Sequence, residues 1–116
     1  MPKSDIIRLQ HMLDAAQKAV QFTEGRQRAD LDSDDLLSLA VVRLIEVVGE
    51  AANKIEPETQ GRYPNIPWSS IISARNRLIH GYDDVDLDIV WSIITIDLPG
   101  LIRQVEQAIE SEKKVE

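Results

Sequence analysis

The segment Arg75-Asn76-Arg77-Leu78-Ile79-His80-Gly81-Tyr82 holds the residue types that cut a phosphodiester by acid–base chemistry. A histidine titrating near neutrality takes a proton from a ribose 2′-hydroxyl or gives one to the leaving 5′-oxygen. An arginine fork holds the phosphate as charge builds on it. In this chemistry His80 is the acid or base, Arg75 stabilises the phosphorane and Asn76 orients the imidazole. On an ideal helix, at ~100° per residue, Asn76 and His80 share a face. Arg75 and His80 diverge by roughly 140°, so they meet on one ligand only if the helix end unwinds or a second copy of the chain supplies a partner. Spacing alone leaves a plainer alternative: an arginine and a histidine at a helix end that serve the C-terminal dipole and pair with surface neighbours.

Other polar residues divide in the same way. Glu46 and Glu50 form either a solvated stripe or a buried pair that fixes Arg75 by a charge-assisted bond. His11 sits beside core positions of a first helix and is expected to be half-exposed structure. Trp68 and Trp91 fall at core spacing and read as packing residues. Asp83, Asp84, Asp86 and Asp88 lack the Asp-x-Asp-x-Asp-Gly loop and distal glutamate of a calcium site, so they read as helix caps and no metal site is expected.

The elements that must position these residues are helical. Ile6, Leu9, Leu13, Ala16 and Val20 recur at steps of three and four, an amphipathic helix of about five turns ending before Gly25. Ser33 or a neighbouring aspartate caps a second helix over about 34–54, apolar around most of its circumference and therefore expected to be enclosed by other helices or a second subunit. Pro57, Gly61, Pro64 and Pro67 predict an irregular connection over 56–67. A third helix is predicted over 67–80, stopped by Gly81 in a left-handed cap. The acids from Asp83 to Asp88 open a fourth helix, which Pro99 kinks or splits near Ile96, and 110–116 reads as a frayed tail. No period-two run is evident. The expected fold is an all-α antiparallel bundle of four to five helices.

Composition narrows the function. The 116 residues contain no cysteine, which excludes disulfides, thiolate zinc sites and cysteine nucleophiles and suits a reducing cytoplasm. No apolar run approaches the ~18–20 residues of a membrane span, so a soluble, cytoplasmic protein of one domain (1–116) is expected. A net charge of −7 and a pI near 4.8 argue against a non-specific nucleic-acid coat. The segment from Gly61 to Tyr82 is the exception, with Arg62, Arg75, Arg77 and His80 and none of the twenty acids.

Five segments in order carry a family resemblance: an amphipathic first helix; Leu44-Ile45-Glu46-Val47-Val48-Gly49-Glu50-Ala51-Ala52; Tyr63-Pro64-Asn65-Ile66-Pro67-Trp68; the Arg75 to Tyr82 segment; and Val85-Asp86-Leu87-Asp88-Ile89-Val90-Trp91 with Asp97-Leu98-Pro99. Together they span nearly the whole chain, which resembles the HepT-like branch of the HEPN domain superfamily. The resemblance implies a HEPN bundle that pairs two-fold, with the R-x-x-x-x-H motifs of both subunits at a shared cleft. It also implies a ribonuclease toxin of a type VII toxin–antitoxin pair, needing no cofactor, whose antitoxin is a small nucleotidyltransferase of the MntA type. Arg75 and His80 match the catalytic pair, Asn76 the polar residue after the arginine, and Tyr82 the tyrosine that the antitoxin adenylylates; Arg77, at a variable position, adds charge for RNA binding. Two rivals stand beside this reading: a nucleotide- or substrate-binding subunit of a two-component nucleotidyltransferase, and an inert dimeric scaffold.

Overall fold

In the computed structural model, which describes residues 3–115, the amphipathic pattern of the N-terminal segment becomes helix α1, Lys3–Phe22. Its inner face of Ile6, Leu9, Met12, Ala16 and Ala19 is buried against α3 and α8. Gly25 reverses the chain at φ +72°, a conformation glycine adopts without a steric penalty. A four-residue turn of helix, α2 (Asp30–Ser33), then buries Leu31.

Helix α3, Asp35–Lys54, begins where the sequence places it, and Asp34 is its cap, accepting from the Leu37 amide at 3.1 Å. That amide, with the Arg26 guanidinium, holds the Asp34 carboxyl below the usual carboxylate range. Leu37, Val41, Ile45, Val48, Ala51 and Ala52 face the core. The expected enclosure is incomplete, because Leu36 and Leu39 remain 83% and 69% exposed.

The segment predicted as irregular contains a short helix, α4 (Pro57–Arg62), started by Pro57, whose fixed φ suits the first helical position. This helix links α1 to the last helix through a polar chain in which Asp5, Thr59 and Glu112 are buried. Thr59 donates to the fully buried Asp5 at 2.8 Å, Arg62 donates to Glu112 at 3.0 Å, and the Tyr63 hydroxyl donates to the other Glu112 oxygen. The tail is accordingly not frayed: helix α8, Leu98–Val115, continues through 110–115 because Glu112, only 2% exposed, is tied to Arg62 and Tyr63. Glu116 lies outside the described residues.

The predicted third helix is instead two short ones and half a hairpin. Helix α5, Trp68–Ile72, breaks at Ser73, whose hydroxyl donates to the Ser69 carbonyl at 2.8 Å while its backbone sits at φ −91°, ψ 0°. Helix α6, Ala74–Leu78, ends before the histidine, and Ile79 leaves it in an extended conformation. Strands β1 (Ile79–Gly81) and β2 (Asp84–Val85) pair antiparallel. Gly81 therefore lies in a strand rather than a left-handed cap, the β-branched Ile79 and Val85 facing each other in the ladder. The Asp86 side chain caps α7, Leu87–Ser92. A π-helical turn, Ile93–Asp97, separates α7 from α8 where Pro99 was expected to kink the chain.

The architecture is all-α apart from this hairpin. The inner face of the last helical stretch, Val90, Ile93, Ile94, Leu98, Leu101, Val105 and Ile109, is buried as the sequence predicts. Among the described residues no helix is long and apolar enough to cross a membrane.

Burial and the neighbouring Glu112 carboxylate raise the Tyr63 hydroxyl from tyrosine's ordinary value near 10 to about 12. A raised tyrosine stabilises the fold fully below its unfolded value and loses that contribution as pH climbs through the folded one. We expect stability to fall between pH 10 and about 12 on this account. The chain has two tyrosines, so absorbance titration of the Tyr82→Phe variant isolates Tyr63; a midpoint near 12 is expected, and one near 10 would remove the buried bond from the account.

Candidate active site

Arg75 projects from α6, and its Nε donates to Oε2 of Glu46 on α3 at 2.9 Å. Glu46 is 19% exposed and Arg75 58%. A half-exposed pair of this kind contributes only ~0.2–1 kcal/mol to stability, so its main effect is orientation. With Nε engaged, the two terminal amino groups have no protein acceptor among the described residues, the fork geometry that suits a phosphate. Of the two glutamates considered, Glu46 is thus the one that fixes Arg75. Glu50 pairs with Arg43 at 3.1 Å and, with Glu46, Gly49, Asn53, Ile72 and Arg75, lines a small recess of about 130 Å³.

Gly49 sets the span between α3 and α5. A Cβ there would lie 2.9 Å from the Ile71 carbonyl oxygen, closer than side-chain carbons are found, so only glycine lets α5 rest this near α3. Its place in Val47-Val48-Gly49-Glu50 is a signal that reading helical periodicity alone passed over.

His80 lies at an irregularity in the hairpin. Ile79 pairs with Val85 and Gly81 with Asp84, so His80 is the extra residue of a β-bulge, a device that re-aims one side chain out of a ladder. The ideal-helix divergence of Arg75 and His80 does not apply, since the helix unwinds before His80. Their side chains are nonetheless not joined by any hydrogen bond or ion pair among the described residues; His80 Nε2 instead sits 3.8 Å from Asp86 Oδ2. Asp86 as a neighbour of the histidine was missed in the sequence, where it reads as a cap or as an acceptor for the Tyr82 hydroxyl. The signal that finds it is the hairpin: Ile79 and Val85 flanking Gly81-Tyr82-Asp83-Asp84.

The remaining candidates are more scattered. Asn76 is exposed on α6 and its side chain makes no hydrogen bond to His80, because the two no longer share a helix. Tyr82 forms the hairpin tip with Asp83 and is 100% exposed, so its ring does not pack on the bundle. The basic run from Gly61 to Tyr82 is not one patch: Arg62 turns to Glu112, Arg75 to Glu46, and Arg77 has no acidic partner among the described residues. Arg77 borders a larger cavity of about 430 Å³ with Asn65, Ser70, Asp97 and Gln104. His11 is exposed, and both tryptophans are partly buried packing residues, with Trp68 Nε1 donating to the Gln60 and Tyr63 carbonyls.

The arrangement offers an anchored guanidinium with a free fork and an accessible imidazole beside a carboxylate. Known proteins with similar sequences carry ribonuclease names. A protein of Methanocaldococcus jannaschii named "Putative RNase MJ1380" is 31% identical over 84% of this chain and 90% of its own length. One of Caldanaerobacter subterraneus subsp. tengcongensis, "Putative RNase TTE0752", is 31% identical over 90% of this chain and 94% of its own. A third, "Probable ribonuclease HepT" of Thermococcus cleftensis, is 31% identical over 80% and 84%. No solved structure matches. The family model described as "Ribonuclease HepT-like" matches residues 12–108, a span that includes Arg75, His80 and Tyr82, and the chain belongs to the HepT-like ribonuclease family.

Proposed function

We propose that this ribonuclease is an endoribonuclease toxin, working as a two-fold homodimer without metal, and silenced by a nucleotidyltransferase antitoxin of the MntA type that adenylylates Tyr82. The observation that carries the catalytic part is the contrast between the two side chains: Arg75 is fixed at Nε with its fork free, while His80 is put out of the ladder by a bulge. In the reaction, the ribose 2′-oxygen bonds to phosphorus and the bond from phosphorus to the 5′-oxygen breaks. His80 accepts the hydroxyl proton or donates one to the departing oxygen, and water carries out the other proton transfer. Arg75 pairs with the non-bridging oxygens as their charge grows. Asn76 and Arg77 contact the RNA from the exposed side of α6, and Glu46 keeps Arg75 in place.

The dimer reading rests on one face of α3. Leu36, Leu39, Arg43, Glu46 and Glu50 follow one another at steps of three and four, so the exposed leucines share a stripe with the glutamate that holds Arg75. A second copy covering the leucines brings its own stripe, and so its own Arg75 and His80, toward the same cleft. Exposed leucines side by side are an association surface rather than ordinary scatter. The antitoxin reading rests on Tyr82, whose hydroxyl stands fully exposed at a two-residue turn, two positions from His80. Adenylylation there adds a bulky anion near Arg75 and Arg77, competing with the RNA phosphate by volume and charge.

Three outcomes are expected. His80→Ala, at an exposed position, lowers the cleavage rate of total RNA ~10²–10⁴-fold with an unchanged melting temperature; full activity in that variant would refute the assignment. Light scattering gives twice the chain mass of 13.1 kDa for the wild type and a single chain mass for Leu36→Glu combined with Leu39→Glu. A monomeric wild type would refute the dimer. Intact mass after co-expression with a neighbouring nucleotidyltransferase shows added AMP that Tyr82→Phe abolishes, whereas inhibition without an adduct would exclude the modification.

A further inference from the structure

Among the described residues His80 is met by only one acid. Asp83 and Asp84 lie in the hairpin and Asp88 on α7, where Arg28 holds it at 2.7 Å; none of these comes within ion-pair distance of the imidazole, and neighbouring α6 contributes only the cations Arg75 and Arg77. Asp86, at 3.8 Å from Nε2, is different in how it is held. Its Oδ1 accepts from the amides of Asp88 and Ile89 at 3.1 and 3.2 Å, which caps α7. Its own amide donates to the Leu78 carbonyl at 2.7 Å, two residues before His80. Both the backbone and one carboxylate oxygen of Asp86 are therefore fixed, and Oδ2, with no other partner among the described residues, is the oxygen turned toward the histidine.

We propose that Asp86 is a positioning residue for the nuclease: Oδ2 accepts a hydrogen bond from His80 Nε2–H, fixing the imidazole tautomer and leaving Nδ1 as the nitrogen that exchanges a proton with RNA. The inference rests on the ribonuclease reading for its consequence but not for its geometry. At 3.8 Å the contact is one side-chain adjustment from a hydrogen bond, and such bonds commonly tighten only when substrate binds. The capping bonds explain why this carboxylate is suited to the task. They fix its rotamer at the end of a helix, so the imidazole settles against a rigid acceptor rather than a free side chain. Fixing which ring nitrogen carries the proton is what an acid beside a catalytic histidine does.

Asp86→Asn separates this role from capping. Asparagine caps a helix as well as aspartate does, and its oxygen must stay on the Asp88 and Ile89 amides. Its NH2 group is then turned toward His80, offering a donor where the ring needs an acceptor. Nitrogen NMR of the histidine side chains, at a pH where the imidazole is neutral and with His80 assigned by His80→Gln, reads the tautomer directly. The wild type is expected to be mainly Nε2–H and Asp86→Asn mainly Nδ1–H, with equal melting temperatures. The same tautomer ratio in both proteins would overturn the proposal. On an RNA substrate Asp86→Asn is expected to lower kcat roughly 10²-fold at unchanged KM, less than the ~10⁴-fold loss known for a buried triad aspartate. Wild-type kcat in that variant would also overturn it. Should the wild type cleave no RNA, the ribonuclease reading fails, and the tautomer comparison still decides whether Asp86 holds the ring.

Discussion

Helices α3 and α5 touch backbone to backbone at Gly49, where the Ile71 carbonyl occupies the space a side chain would need. Much of the site's layout depends on that approach. With α5 seated there, the Ser73 break turns the chain into α6, which brings Arg75 to the glutamate one turn before Gly49 on α3. Leu78 is then buried, the chain leaves the helix, and the Leu78 carbonyl receives the Asp86 amide. Overpacking a close contact typically costs ~1–3 kcal/mol, comparable to the ~0.5–1 kcal/mol that glycine loses to alanine in a helix. The requirement at Gly49 is therefore positional more than energetic.

The charge pattern follows from the same economy of contacts. A chain of net charge −7 has acids to spare, and it places them on its arginines: Asp34 on Arg26, Asp32 and Asp88 on Arg28, Glu50 on Arg43, Glu112 on Arg62, Glu46 on Arg75. Most of these pairs are solvent-exposed, and each adds little stability. Arg75 keeps its terminal amino groups open, and Arg77, on the same helix, has no acidic partner among the described residues.

Much of the bundle was legible in the sequence because long amphipathic periods encode it. Helices α1, α3 and α8, the Asp34 cap and the buried face from Val90 to Ile109 follow from spacing. Misreadings cluster where tertiary contacts decide short segments. A helix over 67–80 fits the propensities, yet the Ser73 hydroxyl and the pairing of Ile79 with Val85 divide it. The end of the chain looks like a solvated charged run, yet Glu112 is drawn inward by Arg62 and Tyr63. For the candidate site, residue types singled out Arg75 and His80 and the family resemblance added Tyr82, while the choice between Glu46 and Glu50 needed three dimensions. Asp86 stayed hidden because its neighbour is met across a turn rather than along a helix.

The RNA's own 2′-oxygen is the proposed nucleophile, with each protomer supplying one imidazole and one guanidinium. The most direct test maps the ends produced from a defined RNA cut at one site, beside the same strand carrying a 2′-deoxynucleotide at that site, with chelator present throughout. The account predicts a 2′,3′-cyclic phosphate and a free 5′-hydroxyl from the RNA and an intact deoxy-substituted strand. A 5′-phosphate, or cleavage of the substituted strand at the same bond, would contradict it.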